Sequence, residues 1–229
     1  MSTWNLAALI AAVKELHGSD QEKELTPSLN SLVQRGAFAK YHYLEAKRLL
    51  ETATQAHTQP GEMMLLLLGN DSASAGLRQA RFQAAAHLTA CVQSMHATAD
   101  TLAHAVYFAL GMNLDQATYL EPRSVTIWKV KEKLSTGPIK NLLAELVDHD
   151  DFKYLSALCN HSKHRSIVDI PFSLEMTATY PSGIKFGVFK YNGNEISDRW
   201  ALPTLDAEYA RQSSLIIAIG QALNSTLIP

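Results

Sequence analysis

The sequence predicts a mainly α-helical fold, a helical bundle with a three-stranded antiparallel β-meander inserted before the C-terminal helix. Two observations carry this prediction. Ala and Leu dominate the apolar content, and through most of the chain apolar residues recur at spacings of three and four, which is typical of helices. Between residues 167 and 202 the spacing changes to two, as in strands. The 229 residues suffice for one buried core, so we predict a single domain over 1–229 with the meander at 167–202.

Three helices of the predicted bundle lie in the first half of the chain. These helices are expected at residues 4–16, from about 30 towards 57, and at 74–110. Gly18 and Gly111 provide C-terminal ends, and Pro60-Gly61 stops the second helix. The apolar run from Met63 to Leu68 is too short to classify by its period.

Four further helices are predicted in the remainder of the chain. They are expected at residues 124–134, 138–147, 150–163 and 205–227. Gly137-Pro138 predicts a turn followed by a proline in the first helical turn. Asp150 or Asp151 can cap the next helix, whose apolar stripe includes Leu155 and Cys159.

The predicted meander consists of three strands separated by turn residues. From Val168 to Tyr180 apolar and polar residues alternate, and Pro171 limits this strand to an edge or a bulge. A second strand is expected over Ile184 to Tyr191. Asn192-Gly193 then predicts a tight hairpin turn, and Glu195 to Leu202 the third strand.

Composition excludes several broad classes of protein. The net charge of −2 argues against a generic nucleic-acid coat, which needs a strong basic excess, although a local basic patch stays open. Two cysteines do not make a disulfide framework. The N-terminus lacks the positive region of a signal peptide, and no apolar run approaches the roughly 20 residues of a membrane span. We therefore expect a soluble, cytoplasmic protein with no cofactor.

The segment Asn160 to Arg165, with the sequence N-H-S-K-H-R, is the strongest candidate for a functional site. Histidine titrates near neutral pH, so His164 is the candidate general acid or base. Lys163 and Arg165 would stabilise the extra charge of a pentacoordinate phosphate, and Asn160 would orient the substrate or hold the imidazole. RNA cleavage needs no metal with these groups, because the 2′-hydroxyl supplies the nucleophile.

Two other interpretations of the same residues stay open. Cations in the last turn of a helix interact with its dipole and its free carbonyls, at about 0.3–1 kcal/mol each, without any further function. The second interpretation is metal binding. The segments His42-x-x-Glu45 and His161-x-x-His164 each place two potential ligands at positions i and i+3 of a helix. Nine histidines make such spacings common by chance, so we expect no metal.

A long helical core followed by a helix with a polar residue, a few spacers and a histidine resembles the HEPN superfamily. His164 would stand for the family's histidine and Asn160 for a polar residue near its arginine. The positions four to six before His164 hold Leu158, Cys159 and Asn160, and Arg165 follows the histidine, so the family's arginine has no counterpart. The resemblance implies a metal-independent ribonuclease or an RNA-binding relative, usually a dimer, often in a defence or toxin–antitoxin system.

The leading functional prediction is therefore a HEPN-like cytoplasmic protein that binds RNA or a nucleotide-bearing partner, with cleavage of RNA at His164 left open. The lost arginine affects cleavage more than binding. The alternative is a non-catalytic interaction module, in which the bundle and an edge strand of the meander bind another protein, and the cluster at 160–165 is structural. A homodimer fits either function.

Overall fold

The computed structural model describes residues 3–57, 59–174 and 182–228, and it confirms the predicted fold class. Over these described residues the protein is 73% helical, with eight α-helices and a small three-stranded antiparallel sheet before the last helix. The helices are α1 (Leu6–His17), α2 (Ser19–Thr54), α3 (Pro60–Leu68), α4 (Ser72–Ala109), α5 (Ile127–Lys133), α6 (Pro138–Val147), α7 (Asp150–His164) and α8 (Ala201–Leu227). Short 3-10 helices lie at Met112–Leu114 and Pro122–Ser124.

Local signals explain most of the helix ends. The Asn5 side chain accepts a hydrogen bond from the Ala8 N–H at the start of α1. Gly18 ends α1 with a φ of 89°, which favours glycine. Pro60 is the first residue of α3, and Pro138 that of α6. The run that the sequence left unclassified is thus the body of a helix.

The predicted start of α2 near residue 30 is wrong. The helix begins at Ser19 and includes Pro27, which is exposed on its surface. Proline removes one backbone hydrogen bond from a helix, but Leu25 and Leu29 on either side of it are fully buried. Burial of this apolar face stabilises the helix through the proline.

The strands form the predicted antiparallel arrangement with one interruption. They are β1 (Phe172–Ser173), β2 (Gly183–Phe186), β3 (Phe189–Tyr191), β4 (Asn194–Ile196) and β5 (Arg199–Trp200). The sheet order is β1-β2-β5, and β3 pairs with β4 in the same register as β2 with β5. The predicted second and third strands are therefore each split in two. The Gly187 N–H at the split donates to the Asp169 oxygen instead, 2.8 Å away.

The predicted hairpin turn is confirmed, whereas the predicted ends of the strands are less accurate. Asn192 and Gly193 both have positive φ, 49° and 82°, as a type I′ turn requires. The predicted third strand ends too late, because α8 begins at Ala201. Residues 175–180 of the predicted first strand lie outside the described residues, and in its described part only Phe172 and Ser173 form a strand.

The chain divides into two compact units. The first comprises Met1–Ala37, Ser94–Lys153 and Glu208–Pro229, and the second Phe38–Gln93 and Tyr154–Ala207. The first unit has a large apolar core that includes Leu102, Val106 and Leu143. In the second, buried residues include Leu88 and Phe186. The single domain predicted from the sequence stays a prediction.

Across the described ranges, none of the helices has the length and apolar character that crossing a membrane requires.

Candidate functional site

The predicted cluster lies at the C-terminal end of α7, in the second unit. Leu155, Leu158 and Cys159 are buried and anchor this half of the helix, as their apolar stripe predicts. The carbonyl oxygen of His161 accepts hydrogen bonds from the N–H groups of Arg165 and Ser166, at 2.9 and 3.2 Å. These bonds end the helix and hold the cluster at its last turn.

His161 has a structural role. Its side chain is only 8% exposed, and its ring lies edge-on to Phe189. Its Nδ1–H donates to the main-chain oxygen of Lys190 at 3.0 Å, which makes Nε2 the acceptor from the Ser166 hydroxyl at 3.1 Å. Both ring nitrogens are therefore bonded: Nδ1 attaches the end of α7 to β3, and Nε2 holds Ser166, just after the helix.

Lys163, His164 and Arg165 extend into solvent instead. Among the described residues, none of these three side chains has a hydrogen-bond or ion-pair partner. Within the described ranges they do not bind the free carbonyls of the last turn, so the capping interpretation keeps only its dipole contribution. Three adjacent groups that can carry positive charge thus stand open to an anion.

Among the described residues, Asn160 makes no hydrogen bond to His164. Its side-chain nitrogen donates to the hydroxyl of Ser156, one turn earlier, at 3.3 Å. The structure thus brings Lys163, His164 and Arg165 to one exposed end, and it turns Asn160 towards the preceding turn of α7.

An open cleft of about 600 Å³ borders the segment that follows the cluster. Arg78, Arg81 and Phe82 of α4 form one side, and residues 167–170 form part of the other. Phe82 is 73% exposed and Ile167 is 71% exposed. Ile167 follows Arg165 by two residues, so the cleft begins within about 7 Å of the cluster along the chain. Sequence reasoning missed it, because in an alanine-rich helix of 38 residues the periodicity does not mark these positions as exposed.

The two histidine spacings considered as possible metal ligands place their side chains, except that of His164, in other interactions. The Nδ1 atom of His42 lies 2.9 Å from that of His87, while Glu45 accepts hydrogen bonds from Arg48. His161 is buried and bonded, as described above, and His164 is exposed. Burial lowers the pKa of His42, and the charge of His87 lowers it further.

Another group of potential ligands occurs in the first unit, where His149, Asp151 and Glu208 place one ligand atom each within 4.8 Å of one another. Glu208 is fully buried and already accepts hydrogen bonds from Arg211 and Gln212. The Nδ1 atom of His149 accepts from the Asp151 N–H at 3.2 Å. The guanidinium of Arg211 neutralises Glu208, so a second cation gains little here.

Both cysteines are buried. Burial raises the pKa of Cys91 to about 12, so this thiol is not a nucleophile at neutral pH. Cys159 is fully buried on the apolar stripe of α7, as the sequence predicts.

Comparison with known proteins adds no identity to this geometry: the chain matches no family model, and no curated protein and no solved structure is significantly similar to it.

Proposed function

We propose that the second unit binds single-stranded RNA, with the exposed end of α7 as its phosphate-binding surface. The observation that carries the proposal is the free state of Lys163, His164 and Arg165, which are adjacent, exposed and unpaired with any acid in the described ranges. Binding of cations to phosphates releases counterions, and this effect supplies most of the affinity of non-specific nucleic-acid complexes. An unpaired cationic side chain contributes this binding affinity without first having to break an existing ion pair.

The cleft beside this end supports a single strand over a duplex. Single-stranded ligands are held by cationic grooves and by aromatic side chains on which bases stack, at about 1–3 kcal/mol per base. Arg78 and Arg81 supply the cations, and the exposed ring of Phe82 supplies a stacking surface. The proposed path runs from Lys163 and Arg165 along residues 167–170 into this cleft.

Binding is favoured over cleavage. Acid–base cleavage of RNA needs one group that accepts a proton and another that donates one. His164 can fill one of these roles, but both nitrogens of His161 are bonded and Asn160 is bonded to Ser156. A HEPN-like ribonuclease with His164 as its general acid or base is therefore the narrower form of the proposal.

Fluorescence anisotropy with a labelled 12-nucleotide oligouridylate tests the proposal across a series of salt concentrations. We expect saturable binding in the parent protein, and a salt slope that falls by about 1.4 in the double variant Lys163→Gln/Arg165→Gln, since each single-strand phosphate contact contributes about 0.7. Lys40→Gln is the matched control, because Lys40 is an exposed lysine of the same unit on α2. An equal loss in the control, or no saturable binding by the parent, contradicts the proposal.

Phe82→Ala tests the cleft separately. We expect an affinity about tenfold lower with an unchanged salt slope, because stacking is lost and phosphate contacts are kept. Phe38→Ala, at another exposed phenylalanine of the second unit, should leave the affinity unchanged. Incubation of end-labelled RNA with the parent and with His164→Ala decides whether cleavage accompanies binding.

A protein-interaction module is the second candidate, and α3 supplies the observation that favours it. Met64 is half exposed, and Leu65 and Leu68 are each 75% exposed on this short helix. Exposed apolar side chains in one patch are typical of interaction surfaces. Sedimentation velocity tests a homodimer through this face. A dimer that dissociates in the variant Leu65→Ser/Leu68→Ser supports it, and a monomeric parent contradicts it.

A further inference from the structure

A second cleft in the second unit, distinct from the RNA surface, is formed by three elements. One face of α2 contributes residues at helical spacing, and the sheet and the first turns of α8 supply the other walls. The lining residues are Tyr43, Lys47, Leu50, Glu51 and Thr54 of α2, Phe172, Ser182, Gly183, Ile184 and Trp200 of the sheet region, and Leu202, Pro203 and Asp206 of α8. Its volume of about 510 Å³ is within the range of small-molecule sites.

The walls of this cleft are mainly aromatic and aliphatic. Tyr43, Phe172 and Trp200 come from three different elements, while Leu50 and Ile184 are nearly completely buried beneath the surface. Aromatic rings from several directions give a planar apolar molecule a large contact area with little loss of side-chain entropy. The body of a ligand for this cleft is therefore aromatic or otherwise apolar.

The charges around the cleft leave one carboxylate in excess. The Nζ atom of Lys47 lies 3.8 Å from a carboxylate oxygen of Glu51, which pairs these two charges. Asp206 has no hydrogen-bond or ion-pair partner among the residues that the structure describes. The Nζ atom of Lys185, 4.6 Å from the Trp200 ring centroid, is already paired with Asp198 at 2.9 Å.

Tyr43 also responds to these charges. Burial raises the pKa of Tyr43, and the charges of Asp206, Cys91 and Glu51 raise it further. The Tyr43 hydroxyl is therefore protonated at neutral pH and neutral in charge. An anionic group in this part of the cleft would be repelled by the carboxylates, whereas a cation would be attracted.

We propose that this cleft binds a small organic amine, with an aromatic body against Tyr43, Phe172 and Trp200 and its ammonium group on the carboxylate of Asp206. Lys185 already lies over the Trp200 ring, so the preference for a cation over a neutral group rests on the carboxylate of Asp206. This site is independent of the RNA surface, and either can exist without the other.

Three matched probes test the proposal: 2-naphthylethylamine, its neutral alcohol 2-naphthylethanol, and the anion 2-naphthylpropionate. Titration is followed by the indole N–H signals of the ¹⁵N-labelled protein. The chain has three tryptophans, Trp4, Trp128 and Trp200, and only Trp200 lines the cleft. Trp200→Phe assigns its signal, and the other two signals serve as internal controls.

We expect the amine to shift the Trp200 signal saturably, with an affinity about fivefold higher than that of the alcohol, as a half-exposed ion pair provides. The carboxylate should bind more weakly than the alcohol. Asp206→Asn should abolish the preference for the amine and retain binding of the alcohol. Glu195→Gln, which neutralises an exposed carboxylate on β4 outside the cleft, should retain the preference.

Three results would overturn the proposal. One is the absence of a saturable Trp200 shift with the amine. Another is tighter binding of the carboxylate than of the amine. The third is an unchanged preference for the amine in Asp206→Asn, which should fold normally because Asp206 is exposed on the surface of α8. Circular dichroism of the variant checks its folding.

Discussion

The Nδ1–H of His161 donates a hydrogen bond to the main-chain oxygen of Lys190, 3.0 Å away, and so joins the last turn of α7 to strand β3. The two histidines of the cluster therefore have different roles, although they are only three residues apart. His161 attaches α7 to β3, and the exposed side chain of His164 is available to a ligand.

His161→Ala should lower the free energy of unfolding by about 2 kcal/mol, because it leaves the Lys190 oxygen without its donor and a space beside Phe189. His164→Ala should change it by less than about 0.5 kcal/mol, since the side chain is exposed. Urea unfolding measures both. Equal losses in the two variants would mean that His164 is also part of the packing.

The imidazole pair of His42 and His87 should make stability depend on pH. The pKa of His42 is lowered in the folded state by burial and then by His87, so the unfolded chain binds this proton more readily. The contribution of His42 to the free energy of unfolding is fully present above the ordinary histidine pKa of about 6.5, and it decreases as the pH falls below this value. Tyr41 contacts both rings, and Glu45 is occupied by Arg48.

His87→Gln removes the charge of His87, which is the second cause of the lowered pKa of His42. The melting temperature of this variant should therefore decrease less between pH 7 and pH 5 than that of the parent protein. Part of the decrease should remain, because burial also lowers the pKa of His104 in the first unit. Scanning calorimetry at both pH values gives the comparison, and His164→Gln serves as an exposed control. An unchanged pH dependence in His87→Gln would show that the pair does not couple.

Arg211→Ala should destabilise the protein by about 3–5 kcal/mol, because it leaves the fully buried carboxylate of Glu208 without its countercharge. Arg211 also donates to the main-chain oxygens of Glu145 and Leu146, and these bonds attach α8 to the end of α6.

The matched control is Arg48→Ala. Arg48 and Glu45 have the same i, i+3 spacing on an exposed surface, and this variant should leave the free energy of unfolding nearly unchanged. Chemical denaturation distinguishes the two variants. Similar small losses in both would show that water reaches Glu208 when Arg211 is removed.

Gly220→Ala should destabilise the protein by about 1–3 kcal/mol, although alanine is the better helix former. A Cβ at position 220 would collide with the indole ring of Trp4 in the first unit. Gly36→Ala is the control, because an added Cβ there meets no atom within 4 Å, and it should stabilise α2 by up to about 1 kcal/mol. Thermal unfolding measures both, and stabilisation by Gly220→Ala would contradict the close approach of Trp4.

Local patterns predicted the elements of this fold well where neighbouring residues decide the structure. Helix α6 begins at Pro138 and ends at Val147, as predicted, because proline at the first position and apolar residues at helical spacing act within the segment. The Asn192-Gly193 turn is also confirmed by its positive φ values. The predicted start of α2 was wrong, because burial of Leu25 and Leu29 in the tertiary structure outweighed the tendency of Pro27 to interrupt a helix.

The candidate site divides in the same way. Residue types alone identified the end of α7 as a place with histidines and cations, and helical spacing identified its buried stripe. Which histidine is buried depended on β3, whose Lys190 is 29 residues from His161 along the chain. The two clefts likewise assemble from segments far apart in sequence. Periodicity records the preferences of adjacent residues, whereas partners and cavities arise only when the chain packs against itself.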